Sequence, residues 1–171
     1  FIGRNHMLIN PYLGGQLLLG EIVTDLDLKR DAALEISCGN CSKCLEACPT
    51  GAISSDGGFD ARKCISYPTI EYSGEISADL RTKTGRTLFG CDRCVLACPY
   101  TQKAPVRNNN DFVFFGQRQF IAPEELLEWD SKKFETFFEN SVLLRTGFET
   151  LKRNAKICLQ NLTQGNCQQG K

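Results

Sequence analysis

The chain has 171 residues, 42% of them hydrophobic and 23% charged, with 20 basic and 20 acidic side chains in balance. That length supports one ordinary domain with a core, and the neutral balance excludes a protein that grips nucleic acid through overall charge alone. No apolar run approaches the roughly 18 residues of a bilayer span and FIGRNHMLIN is no signal peptide, so a soluble, unexported protein is expected.

The sequence opens at Phe1 without an initiator methionine and already inside an apolar segment, which points to a piece of a longer product. From Phe1 to Leu28, short apolar runs (Met7-Leu8-Ile9, Leu17-Leu18-Leu19, Ile22-Val23) alternate with turn residues (Asn10-Pro11, Gly14-Gly15, Gly20). This pattern predicts a strand pair around a glycine turn, at the edge of a larger sheet. A helix is expected near Ser77 to Thr84, capped by Ser77 and ended by Gly85. After a polar connector from Lys103 to Asp111, Pro123 suits the first turn of a helix through Trp129, and Ser131 can cap another to about Glu139. From Glu149 to Leu162, the residues Leu151, Ala155, Cys158, Leu159 and Leu162 share one helical face. Cys158 reads there as a small core residue, and Cys167 as incidental.

Charge is patterned locally. Arg81, Lys83, Arg86, Arg93, Lys103 and Arg107 face a single acid, Asp92, between Leu80 and Arg107, whereas Ile121 to Glu139 is predominantly acidic. Two oppositely charged solvated faces account for this on charge alone.

Ten cysteines exceed what packing requires, and a disulfide framework would suit a smaller, core-poor, exported domain. Cys38, Cys41, Cys44 and Cys48-Pro49 follow the ferredoxin spacing C-x2-C-x2-C-x3-C-P. Three thiolates on a tight loop can wrap three corners of a cubane, but a helical turn after Cys44 carries Cys48 about 6 Å onward, toward a different cluster. A structural zinc site is the competing reading, and it is less specific to this run. The second run, GCDRCVLACPY, holds Cys91, Cys94 and Cys98 but has Leu88 where a ferredoxin has a fourth cysteine. Cys98 is therefore expected to complete Cys38, Cys41 and Cys44, and Cys48 to join Cys91 and Cys94. The remaining ligand must be Cys64, Cys158 or Cys167. Cys64 lies between the runs at a polar-to-apolar transition and is assigned.

FIGRNHMLINPYLGGQLLLGEIVTDLDL, CGNCSKCLEACPTGAI, DARKCISYPTIEYSGEIS and GCDRCVLACP, in this order, resemble the epoxyqueuosine reductases. The likeness covers about Phe1 to Arg107, and more loosely from Asp111-Phe112 to the end. It implies a cytoplasmic monomer that takes epoxyqueuosine to queuosine at the tRNA wobble position, with two [4Fe-4S] clusters and cobalamin. An electron donor of unspecified identity would supply it, and no membrane would be involved. The family's proton-donating aspartate belongs to a preceding half, so no residue here takes that role. Cobalamin contacts would come from Asn5, Leu8, Leu19, Ile22, Ser66, Cys91 and Asp92. Arg81 would hold tRNA phosphate, with Lys83 and Arg86 nearby. The sequence departs from the family at His6-Met7 and Thr101-Gln102. His6 lacks a D-x-H-x-x-G setting and reads as a polar surface or core histidine, not a cobalt ligand.

The fold expected is α+β. Residues 1–30 would end a cobalamin-binding domain as edge strands of a truncated mixed sheet, 31–107 would form a double [4Fe-4S] ferredoxin-like domain, and 108–171 a helical segment. Alternatives are a reductive dehalogenase-like corrinoid enzyme and a stand-alone two-cluster electron-transfer module.

Overall fold

The computed structural model describes residues 1–106 and 113–165; Arg107, Asp111, Phe112 and Cys167 lie outside the described residues. The α-helices in chain order are α1 (Lys43–Glu46), α2 (Ala78–Thr84), α3 (Arg93–Leu96), α4 (Pro99–Gln102), α5 (Pro123–Leu127), α6 (Ser131–Phe137), α7 (Leu143–Thr146) and α8 (Phe148–Thr163). A 3₁₀ turn at Ala61–Lys63 and a π-helical turn at Tyr67–Glu71 fall between α1 and α2. No described helix is long and apolar enough to cross a membrane.

Two compact units divide these elements. The first comprises Phe1–Cys48, Ile53–Phe59 and Asp92–Arg107, and the second Pro49–Ala52, Asp60–Cys91 and Asn108–Lys171.

In the first unit, α1 packs against α3, and both are single turns that carry the last cysteine of a C-x2-C pair, Cys44 and Cys94. Val95 and Ile9 are buried in this unit. Asn10 turns the chain by accepting from the Tyr12 and Leu13 amides at 2.9 and 3.0 Å. Gly14 follows at φ +77°, where a Cβ would stand 2.8 Å from the Thr101 Cα, so this close approach requires glycine. The glycine turn expected from the sequence is therefore present. The strand pair is not: the described residues show only isolated antiparallel bridges, Ile2 to Leu8, Asn10 to Gly14 and Ile53 to Phe59. A strand needs a partner ladder for its backbone groups, and no described strand pairs with residues 17–28. Their side chains are largely exposed, Val23 completely.

The second unit is built on its helices. Leu126, Trp129, Phe134, Phe138, Leu151 and Ala155 form a buried cluster, with Leu88, Phe89 and Phe148 packed against it. Removing each large side chain from water contributes about 1.5–3 kcal/mol before conformational entropy is charged. Pro123 opens α5 as expected, but the helix ends at Leu127, two residues early, and Trp129 turns into the cluster. The α6 cap is Asp130 and not Ser131, because its carboxylate accepts from the Lys133 amide at 2.7 Å. Ser77 and Gly85 flank α2 as expected, although the Ser77 hydroxyl makes no capping bond.

Helix α8 buries Leu151, Ala155 and Cys158, and also Asn154 and Asn161. Both asparagines reach across to other segments. Asn154 Nδ2 donates to the carbonyls of Thr69 and Leu88 at 2.9 and 3.0 Å, and Asn161 Nδ2 to those of Arg81 and Gly85, both at 2.9 Å. Arg153 donates to the carbonyls of Tyr72 and Gly74 at 2.7 Å, and also to that of Pro68. Desolvation lowers the Arg153 pKa from its ordinary value. A bidentate Arg145–Glu71 pair joins α7 to the end of the π-helical turn.

Candidate metal centre

The first cysteine run begins in a loop, where the Cys41 amide donates to the Cys38 carbonyl at 3.1 Å. Cys44 lies in α1 and is buried. In the second run, the Cys98 amide donates to the Val95 carbonyl at 3.2 Å, and Pro99 then opens α4. These two local folds bring Cys38, Cys41, Cys44 and Cys98 to the walls of one cavity of about 40 Å³, with Asn5 and Ile9 beside them. Cys48, the fourth cysteine of the first run, does not line it.

The Arg4 amide donates to Cys38 Sγ at 3.4 Å, and the Arg4 guanidinium holds the neighbouring Gly39 carbonyl at 3.1 Å. Burial raises the Cys44 thiol above its ordinary pKa, with its own and the Leu45 amide opposing that shift. A thiol in that position releases its proton to solvent when a cation takes its place on the sulfur. Among the described residues, no three His, Cys, Asp or Glu side chains stand close enough to share a single metal ion. Four cysteines line this one cavity, and four thiolates are the donor set of a [4Fe-4S] cluster, so the residues present fit that group.

The other four assigned cysteines fall in both units. In the first, half-buried Cys48 follows α1 and Cys94 sits in α3, where its carbonyl accepts from Asn5 Nδ2 at 3.4 Å. In the second, Cys64 ends the 3₁₀ turn and Cys91 follows Gly90. Ser66 Oγ donates to the Cys91 carbonyl at 3.5 Å, tying the KCISY segment to the start of the second run. Leu88, where a ferredoxin would have cysteine, packs against the helical cluster. Cys158 is buried and its thiol is pushed up to about 11 by desolvation, as suits a core residue.

Of the other sequence-assigned positions, Asn5 is buried and its carboxamide is engaged, since its Oδ1 also accepts from the Met7 amide at 3.2 Å. Leu8, Leu19 and Ile22 are exposed, as is Asp92. Arg81 is half-buried on α2, Lys83 pairs with Asp79 at 2.8 Å, and Arg86 is exposed. His6 is exposed, with Nε2 3.1 Å from the Gly57 carbonyl and its ring against Phe59. Sequence reasoning missed Thr69, Asn154 and Asn161. The available signal was two asparagines seven residues apart on the face that carries Leu151 and Cys158.

Residues 37–101 match the 4Fe-4S double cluster binding domain. Over 93% of its length the chain resembles an epoxyqueuosine reductase from Francisella cf. novicida, at 39% identity and covering 45% of that protein. Its fold matches the structure of epoxyqueuosine reductase from Bacillus subtilis with a TM-score of 0.87 and 30% identity, over 94% of this chain and 43% of that one. A crystal structure of epoxyqueuosine reductase with an epoxyqueuosine-modified tRNA stem loop matches with a TM-score of 0.86 and 30% identity, over the same shares of the two chains. The chain spans less than half the length of these relatives.

Proposed function

We propose that this chain is the cluster-bearing part of an enzyme that reduces epoxyqueuosine to queuosine at the wobble position of tRNA. The observation that carries the proposal is the extent of the likeness: it covers 93% of the chain, well beyond the double-cluster segment at 37–101 that an electron-transfer module alone would need. Removing the epoxide oxygen as water consumes two electrons and two protons. Bound clusters supply one-electron transfer, and cobalamin supplies the reducing centre at which the epoxide is opened.

Cys38, Cys41, Cys44 and Cys98 hold one cluster in this reading, and Cys48, Cys64, Cys91 and Cys94 the other. The shared cavity of the first four thiols supports that half of the assignment. The Arg4 amide holds Cys38 Sγ at the cavity through its hydrogen bond. Asn5, Leu8, Leu19, Ile22, Ser66, Cys91 and Asp92 contribute to the cobalamin face. Asn5 does so through the backbone around it, since its side chain is engaged inside the first unit. Exposed Leu19 and Ile22 suit a segment that gains a sheet partner, as the edge of a mixed sheet within residues 1–30. Residues 31–107 then form the ferredoxin-like domain and 108–171 the helical segment. Arg81 supplies a phosphate contact from α2, its backbone fixed by Asn161. We place the enzyme in the cytoplasm as a monomer fed by a separate electron donor.

The test uses the longer protein that contains this chain, reconstituted with iron, sulfide and cobalamin. Under reducing conditions it is incubated with an anticodon stem-loop bearing epoxyqueuosine. The expected result is a mass loss of one oxygen from the modified base. No conversion with reduced clusters and bound cobalamin overturns the reading.

A further inference from the structure

Two segments of the second unit carry cysteines assigned to the second cluster, and one buried polar network joins their backbones. Thr69 is fully buried. Its hydroxyl donates to the Ile65 carbonyl at 2.7 Å and accepts from the Gly90 amide at 3.1 Å. Its own carbonyl accepts from Asn154 Nδ2, which also donates to the Leu88 carbonyl at 3.0 Å. The Asn154 carboxamide is oriented from its other end, because Oδ1 accepts from Arg153 Nη2 at 3.0 Å. Arg153 is in turn fixed on the carbonyls of Tyr72 and Gly74. One hydroxyl and one carboxamide thus join Ile65, the residue after Cys64, to Gly90, the residue before Cys91.

The chemistry of these contacts goes beyond packing. Gly90 has φ +67°, a conformation in which its amide points at Thr69 and the chain then turns into Cys91. Hydrogen bonds that fix the backbone beside a thiolate also fix its orientation and the field around it, and these tune a cluster's potential. Leu88 anchors the same backbone from its apolar side by packing on the helical cluster. The missing ferredoxin cysteine has thus been replaced by an anchor for the cysteine three residues later.

We propose that Thr69 and Asn154 are positioning residues for the second cluster, holding Cys64 and Cys91 in register from α8. This inference rests on the reading that Cys64 and Cys91 are cluster ligands.

The experiment compares Thr69→Val, Thr69→Ser and Cys64→Ala with wild type in the reconstituted protein. Iron content, the low-temperature EPR spectrum of the reduced clusters and their midpoint potentials are the readouts. Thr69→Val keeps the shape and removes the hydroxyl; it should displace the EPR signal and potential of one cluster and leave the other at its wild-type values. Thr69→Ser should restore both. Asn161→Leu, which removes the bonds from α8 to the Arg81 and Gly85 carbonyls and none of the Thr69, Asn154 or Leu88 contacts, controls for general loosening and should leave both potentials in place. Unchanged potentials in folded Thr69→Val, or an equal displacement in Asn161→Leu, overturn the proposal. The underlying ligand assignment is read separately: Cys64→Ala should lose one cluster's share of iron, and wild-type iron in that variant overturns the assignment itself.

Discussion

Asn161→Leu isolates the bond pair by which α8 holds α2. The Asn161 side chain is buried, and its two donors meet the Arg81 and Gly85 carbonyls at 2.9 Å each. Arg81 lies in the last turn of α2, where carbonyls have no intrahelical partner, so Asn161 serves as a cap supplied by another helix. Leucine is close to asparagine in shape, which keeps the cavity contribution small. Two lost hydrogen bonds cost about 0.5–1.5 kcal/mol each, and a carbonyl left buried and unpaired about 1–3 kcal/mol more, partly offset by the apolar burial of the new side chain. A net loss of about 2–3 kcal/mol corresponds to a roughly 30- to 150-fold increase in local opening of α2. Hydrogen exchange of the α2 amides, measured by mass spectrometry on the cluster-loaded protein, reads that factor directly. Wild-type exchange in α2, or faster exchange confined to α8, would refute the capping argument.

Cys98→Ser should degrade the first cluster, seen as a changed EPR spectrum and lower iron, whereas Cys158→Ala should leave iron at its wild-type level. The Cys158 thiol should resist alkylation at pH 8 in the folded protein, since it is 1% exposed and its pKa is pushed up to about 11. Arg81→Gln should weaken stem-loop binding across sequences and lower the salt slope by about one, measured by fluorescence titration over a range of salt. The Glu71 carboxyl is held below its ordinary value of 4.5 by its hydrogen bonds to Arg145. A depressed carboxyl contributes stability above its unfolded pKa that is lost as pH falls through the folded one. The stability gap between wild type and Arg145→Met should therefore be open at neutral pH and close as pH falls through and below 4.5, as followed by urea unfolding.

Spacing made the cysteine chemistry legible, because C-x2-C-x2-C-x3-C-P constrains which thiols a short loop can bring together. Pro123 and the α8 face were legible for the same local reason, since each depends on residues within a turn or two. The α6 cap expected at Ser131 falls instead on the adjacent Asp130, also a good cap by residue type, because its carboxylate is the one that reaches the Lys133 amide. The alternation in Leu17 to Leu28 states what a strand would bury but not where its ladder partner lies. The apolar spacing that marks the α8 face does not single out Asn154 and Asn161. Their partners are 66 to 85 residues away in sequence, beyond the reach of any local pattern.

The anchoring of Thr69 and Leu88 by α8 also sets an order of assembly during synthesis. Cys38, Cys41, Cys44 and Cys98 are all translated before α4 is complete, so their cavity can close while the rest of the chain is still being made. Cys64 and Cys91 have also emerged by then, but Asn154, which holds their segments together, emerges only with α8. With the proposed ligand sets, the first centre is expected to accept its metal before α8 is made, and the second after α8 has docked. A truncation that stops short of Asn154 should mature with one centre filled.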